Sequence, residues 1–260
     1  MISLSIITIT RNNSSGLIRT LDSCLPLLAR DDVEVVVVDG ASTDDSMAAL
    51  KAWHSNGPDV RCRTKSERDK GIYDAMNKGL RMAGGQHVVF MNSGDIFAPT
   101  FNVDPSSFKD SSVYYGDARF ESPQGGFSKH YRIEKLDCFL KHNTFCHQAL
   151  YYPRQLLLDL GGYDLDYKVS ADFDLTLRCF QRAPFVSLEQ VGCVCELGGF
   201  SHVHGWRSYK ERMRSIRTHA GLRWYLPLAA YAPIFYLKHS IVKALDGSRL
   251  LMLYRQVRYG

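Results

Sequence analysis

The sequence predicts an α/β fold built on a mostly parallel, doubly wound sheet. Three observations carry this reading. Strand and helix patterns alternate over roughly the first 95 residues. Val33–Val38 is a near-continuous β-branched run of the kind found in central parallel strands. Three of the strands run straight into polar residues, which are Thr10-Arg11-Asn12, Asp39 and Asn92-Ser93-Gly94-Asp95. Sheets of this kind bind ligands outside the carboxyl ends of their strands.

The elements follow in order. Ser3–Thr10 reads as the first buried strand. Ser14–Leu28 places Leu17, Ile18, Leu21, Cys24, Leu25 and Leu28 at helical spacing. After the Val33–Val38 strand, Ser42 or Thr43 caps a helix reaching about Trp53. A short strand near Val60–Thr64 precedes a helix from about Gly71 to Met82, which Gly84-Gly85 ends. His87–Met91 is the fourth strand, with His87 in the core. Residues 100–200 are mixed. Val113–Phe120 and Phe127–Arg132 form an antiparallel pair, Leu150–Pro153 a short strand, and Phe173–Gln181 a helix. Phe185–Leu188 and Val191–Leu197 read as two further strands, and Gly198–Ser201 as a loop.

The composition is that of a folded domain, with 45% hydrophobic and 23% charged residues among 260. Seven cysteines without a C-x-x-C pair fit a reduced, cytoplasmic setting, and Cys193 and Cys195 are too close in sequence to announce a zinc site. The amino terminus lacks the basic region and cleavage site of a signal peptide, and no apolar run is long enough for a spanning helix. The net charge of +5 is unevenly spread: residues 201–260 hold 11 Lys/Arg against 2 Asp/Glu, while the rest is net acidic. Residues 205–224 read as a basic helix, and Leu226–Leu237 as an uncharged stretch that lies in a membrane interface or, alternatively, packs back on the domain. The expected division is therefore a domain over 1–204, with halves 1–97 and 98–204, and a basic helical tail over 205–260.

Several side chains can do chemistry. Asp95, in a turn past a buried strand, can hold a hard divalent cation. Asp39 can accept hydrogen bonds from a base or ribose. Asp69-Lys70-Gly71 stands before a helix, where backbone N–H groups attract phosphate. Asp172 and Asp174 differ by about 200° around a helix, so only one can face a site, and Asp172 could equally be a helix cap. A dinucleotide fingerprint and a P-loop are both absent.

These residues carry a resemblance. The stretches SIITITRN (5–12), VVVVDGASTD (35–44), SERDKGIYDAMNKG (66–79), FMNSGD (90–95), HQALYYP (147–153) and YKVSADFDLTLR (167–178) resemble the family-2 inverting glycosyltransferases, in particular the bacterial colanic acid and exopolysaccharide branch. The resemblance implies a GT-A, Rossmann-like sheet with a mixed C-terminal half. It implies a nucleotide-sugar donor, a divalent cation (Mg²⁺ or Mn²⁺) and a lipid-linked saccharide acceptor reached at the inner face of the plasma membrane. It places Thr8, Thr10, Asn12, Asp39, Asp69, Asn77 and Asn92 on the donor side, and Asp95 on the metal. It places His147 and Gln148 near the acceptor and makes Asp172 the general base. Asn92 and Gly94 stand where the family often has acidic residues, and Ala171 where it often has Glu. The Gln-x-x-Arg-Trp element of processive members is absent. His202 and His204 flank the Gly198–Ser201 loop, which is expected to close over a diphosphate.

Two other classes compete. A nucleotidyltransferase would need a Gly-rich basic loop after the first strand, which Thr8–Ser14 does not supply. A nucleic-acid binder draws on the basic tail, where Trp206, Tyr209, Trp224 and Tyr225 interleave with cations. Nucleic acid is not the expected partner; an anionic membrane surface is.

Overall fold

The β-branched run at residues 33–38 sets the centre of the molecule. In the computed structural model, which describes all residues except 58, 123–124, 132–135, 137–139, 141–144, 197–204, 246–247 and 260, β1 (Leu4–Thr10) and β2 (Val33–Asp39) are buried along their whole length. Burial on both faces is what continuous apolar strands require. With β3 (Cys62–Ser66) and β4 (His87–Phe90) they form a parallel half in the order β3-β2-β1-β4. The register aligns Thr10 with Asp39 and Asp39 with Ser66, so three strands end in one polar row.

Helices α1 (Ser14–Leu28), α2 (Ser46–Asn56) and α3 (Ile72–Met82) connect these strands. Asn13 caps α1 by accepting from the Gly16 N–H. Helix α3 lies so close to β1 that a Cβ at Gly79 would sit 2.4 Å from Ile7 Cγ2, so only glycine fits there. The helix predicted from Ser42 begins later, at Ser46, because Asp39 captures Ser42. Asp44 accepts instead from the Ser46 backbone and hydroxyl.

The second half is mixed, as the resemblance implied. Strands β5 (Ile96–Phe97), β6 (Val113–Ser122), β7 (Gly125–Lys129), β8 (Leu150–Pro153) and β9 (Phe185–Glu196) extend the sheet as β4-β8-β6-β9-β5, with β7 hairpinned on β6. Strand β8 pairs antiparallel with β4, matching His87 to Pro153. Continuing that register brings residues 147–148 to the carboxyl end of β4. The two strands expected at 185–188 and 191–197 are one strand, irregular where Glu189 has φ 53° and the β6 register shifts. His87 is buried, with its ring at the Ser112 carbonyl and against Phe108 and Tyr114.

The edge opposite the polar row is closed by a buried carboxylate. Glu34 accepts from the Ser5 hydroxyl at 2.7 Å and the Gly84 N–H at 2.6 Å, and it pairs with Arg63. The Ser5 hydroxyl in turn accepts from Gly85 N–H.

Helix α4 (Arg154–Asp159) follows β8, and α5 (Ala171–Phe180) starts two residues before the predicted Phe173. The predicted 205–224 helix is broken. Helix α6 (Gly205–Ser215) passes into a π-helical turn, Ile216–Ala220, and Gly221 at φ 86° stops it. Helices α7 (Leu222–Ala230), α8 (Ala232–Ala244) and α9 (Arg249–Tyr259) complete the chain. Helix α6 is anchored in the domain: Met213 and Ile216 join the core, and Ser215 hydrogen-bonds Asp174. The Gly198–Ser201 loop, His202 and His204 lie outside the described residues.

Candidate active site

Loops at the carboxyl ends of β1, β2 and β4 are stitched together. Asn12, at φ 50°, donates its N–H to the Ser42 hydroxyl and accepts from Thr43 N–H at 2.8 Å. Asn13 donates to the Ser93 carbonyl, and Arg19 to the Gly94 carbonyl. Asp39 is fully buried and engaged, accepting from the Ser42 N–H and hydroxyl and from the Ser66 hydroxyl. Asp69 accepts from Gly71 N–H and lies against Gly40, where a Cβ would stand 2.4 Å from its Oδ2. Asp39 and Asp69 thus lie at neighbouring loops of one rim. Thr8 and Thr10 are buried, and their hydroxyls have no hydrogen-bond partner among the described residues. Asn77 lies elsewhere, on the buried side of α3: its amide donates to the Tyr163 carbonyl and accepts from the Tyr163 N–H, both at 2.8 Å.

The antiparallel β4–β8 pairing brings the acceptor-side turn onto the donor-side loop. In the 3₁₀ turn His147–Ala149, the His147 ring presents Nε2 to Asn92 Nδ2 at 3.1 Å. Its Nδ1 lies 3.7 Å from Asp172 Oδ2. With the Asn92 amide N–H turned to Nε2, a neutral ring would carry its proton on Nδ1, toward the carboxylate. Gln148 donates to Asp95 Oδ2 at 2.6 Å. Asn92, Asp95, His147, Gln148 and Asp172 therefore meet at one place. Burial pushes the Asp95 carboxyl up to about 6, against the lowering pull of its Gln148 bond and of His147.

Asp172 sits in the first turn of α5 and is partly exposed, at 27% of its side chain. The capping alternative does not apply, because the N-cap is Ser170. Tyr73 reaches from α3, donating to the Val169 carbonyl at 2.8 Å and standing 3.4 Å from Asp172 Oδ1. Asp174 points the other way into the protein: 1% exposed, it is held by Arg178, Ser215 and His219. Helix α6 fixes the approach to α5. Glu211 accepts from three consecutive backbone N–H groups, Lys168, Val169 and Ser170, at 2.8–3.1 Å. From the same helix, Arg212 stacks over Phe173 at 4.5 Å. Desolvation pulls its guanidinium down to about 10, while Asp172 acts in the opposite sense.

Tyr73, Glu211 and Arg212 escaped the sequence reading as site residues. The helical face shared by Tyr73 and Asn77 was a visible signal, whereas the two α6 residues were hidden in a generic basic helix.

The donor set at the β4 end fits a hard cation. The Asn92 Oδ1 atom is buried without a hydrogen-bond partner among the described residues, and the Asp95 N–H closes the same turn on the Asn92 carbonyl. An amide oxygen and a carboxylate are the oxygen donors such an ion takes.

Comparison with known proteins agrees with this architecture. The family model described as glycosyl transferase family 2 matches residues 5–103. A "PGL/p-HBAD biosynthesis glycosyltransferase" of Mycobacterium bovis is 30% identical over 224 residues, covering 82% of this chain and 86% of that one. The chain belongs to glycosyl transferase family 2. It is thus a glycosyltransferase, the first of the three classes weighed from the sequence. Chondroitin synthase of Escherichia coli is 25% identical over 190 residues, 69% of this chain but 27% of that protein. Among solved structures, S. aureus TarS 1-349 in complex with UDP superposes with a TM-score of 0.62 at 20% identity, over 84% of this chain and 65% of that one. The mannosyltransferase PcManGT of Pyrobaculum calidifontis, in complex with GDP-Man and Mn²⁺, gives 0.64 at 19%, over 97% of this chain and 78% of that one. The fold is therefore GT-A. The comparisons show the family, and not the colanic acid branch in particular.

Proposed function

We propose that this family-2 enzyme moves a sugar from a nucleotide-sugar donor to an acceptor hydroxyl in a single inverting displacement. The observation that carries the reading is the His147 bridge, whose two ring nitrogens face Asn92 on the donor side and Asp172 on the acceptor side. An acceptor hydroxyl is a weak nucleophile until its proton is taken. Asp172 is the available carboxylate, because Asp174 is consumed by its ion pair. The Tyr73 hydroxyl and the His147 ring flank its two oxygens, and the proton of the acceptor hydroxyl would pass to Asp172. On the other side, Asp95 and Asn92 would hold a divalent cation, which neutralises the departing diphosphate when bound. Thr10, Asn12, Asp39 and Asp69 form the rim that the nucleotide would occupy, with Thr8 behind it. The complexes of the two structural neighbours, one with UDP and one with GDP-Man and Mn²⁺, support a nucleotide-sugar donor and a divalent metal.

The acceptor is a lipid-linked saccharide of a surface-polysaccharide pathway, met at the inner face of the plasma membrane. The exposed apolar side chains of α7 and α8, Leu226, Ile234, Tyr236 and Leu237 among them, support that setting. None of the described helices is long and apolar enough to cross a membrane, so these helices would lie on its surface. The test is release of free nucleoside diphosphate from a panel of nucleotide-sugars, with lipid extract as acceptor, with and without Mg²⁺ or Mn²⁺. Release from one donor, dependent on lipid extract and cation, is expected. Silence across the panel would remove the reading.

A further inference from the structure

A second side-chain cluster lies beside the crevice. Cys193 and Cys195 alternate along β9, which turns both side chains to one face of the strand. Cys146, immediately before the His147–Ala149 turn, comes to the same spot across 47 residues of sequence. The three sulfurs form a triangle with sides of 3.5, 3.6 and 3.7 Å. They are the one group of metal-ligating side chains that converges this closely among the described residues.

Three thiolates bound to zinc at about 2.3 Å with tetrahedral angles stand about 3.8 Å apart. The observed sides come within a few tenths of an ångström of that without any backbone movement. Packed thiols acting as small hydrophobes would show similar spacing, so distance alone does not decide. The surroundings do. Gln148 Oε1 accepts from Cys146 Sγ at 2.9 Å, and the Asp95 carboxyl adjoins Cys195. Cys193 and Cys195 belong to the apolar core, yet two polar groups, the Gln148 amide oxygen and the Asp95 carboxyl, stand at the edge of the triangle. Cys146 is half-buried, the least enclosed of the three residues.

We propose that Cys146, Cys193 and Cys195 form a thiolate site for a zinc-type cation, with solvent completing the tetrahedron. The site does not depend on the sugar-transfer reading. It is also distinct in kind from the oxygen site at Asn92 and Asp95: three soft sulfurs select Zn²⁺ over Mg²⁺ or Mn²⁺. Its effect would be structural, tying the turn that carries His147 and Gln148 to β9.

The test uses the full chain, purified reduced, stripped by chelator and titrated anaerobically with Co²⁺. The expected result is one equivalent bound, with a sulfur-to-cobalt charge-transfer band and the intense visible absorption of a tetrahedral site. Equimolar Zn²⁺ should bleach both, and excess Mg²⁺ or Mn²⁺ should not. Cys193→Ser and Cys146→Ser should lose the band, while Cys62→Ser, altering a half-buried thiol elsewhere, should keep it. A folded wild-type protein with all thiols free and no band overturns the proposal, as does a band of full strength in Cys193→Ser. If a serine variant does not fold, the wild-type titration still decides.

Discussion

Two acidic residues of one helix have opposite fates. Asp174 is spent on Arg178, Ser215 and His219, while Asp172 faces His147 and Tyr73 with part of its surface open. The sequence could say that the two diverge around the helix, but it could not say which one turns inward, because that depends on Ser215 and His219, some 40 residues later. Asp172→Asn keeps the shape of the side chain and removes its basicity. We expect sugar transfer to fall by about 10²–10⁴-fold, with donor affinity, measured by titration calorimetry, within error of wild type. Turnover near the wild-type rate would show that another group takes the proton. Asp39 shows the reverse limit: its place at the end of β2 was legible, but its engagement by Ser42 and Ser66 was not, since those partners belong to two different loops.

At the level of elements, the parallel strands were readable because burial on both faces leaves a plain apolar signature. The boundaries that shifted did so for local reasons. Asp39 took Ser42 away from its capping role, and Glu189 bent one strand into what reads as two. Helix α6 is the larger departure, since its basic residues suggested a solvent or membrane face while Glu211 plants it on the segment before Asp172. Burial pushes the Glu211 carboxyl up, but the N–H groups of Val169, Lys168 and Ser170 together with Arg207 outweigh it, and its pKa lies below the usual value of 4.5. A depressed carboxyl adds stability that is complete above the unfolded value and fades as pH falls through the folded one. Glu211→Gln should therefore lower unfolding free energy by about 1–3 kcal/mol at neutral pH, and by less at pH about 4 and below. Denaturant unfolding at both pH values measures the difference; an equal deficit at both would mean that charge is not what holds the loop.

The whole molecule joins a parallel half that ends in a polar rim to a mixed half that folds His147 and Gln148 back onto it. The parallel strand–helix alternation of the first half was legible; its strand order was not. The convergence was not, because it rests on β8 running antiparallel to β4, a pairing that no local pattern encodes. At this scale the tail also makes its prediction. Flotation with anionic vesicles should carry the protein upward, and Ile234→Asp with Leu237→Asp should leave it in the dense fraction. Equal flotation of the double variant would remove the membrane surface from the proposal. The network of Glu34, Ser5, Gly84, Gly85 and Arg63 has a different implication. It clamps the floor of the sheet at the end remote from the reactants, so scaffold integrity and substrate choice are written in separate parts of the chain. Anyone diversifying this enzyme toward a new sugar should work in the upper loops, around the residues that stitch them and line the crevice, and leave that floor untouched.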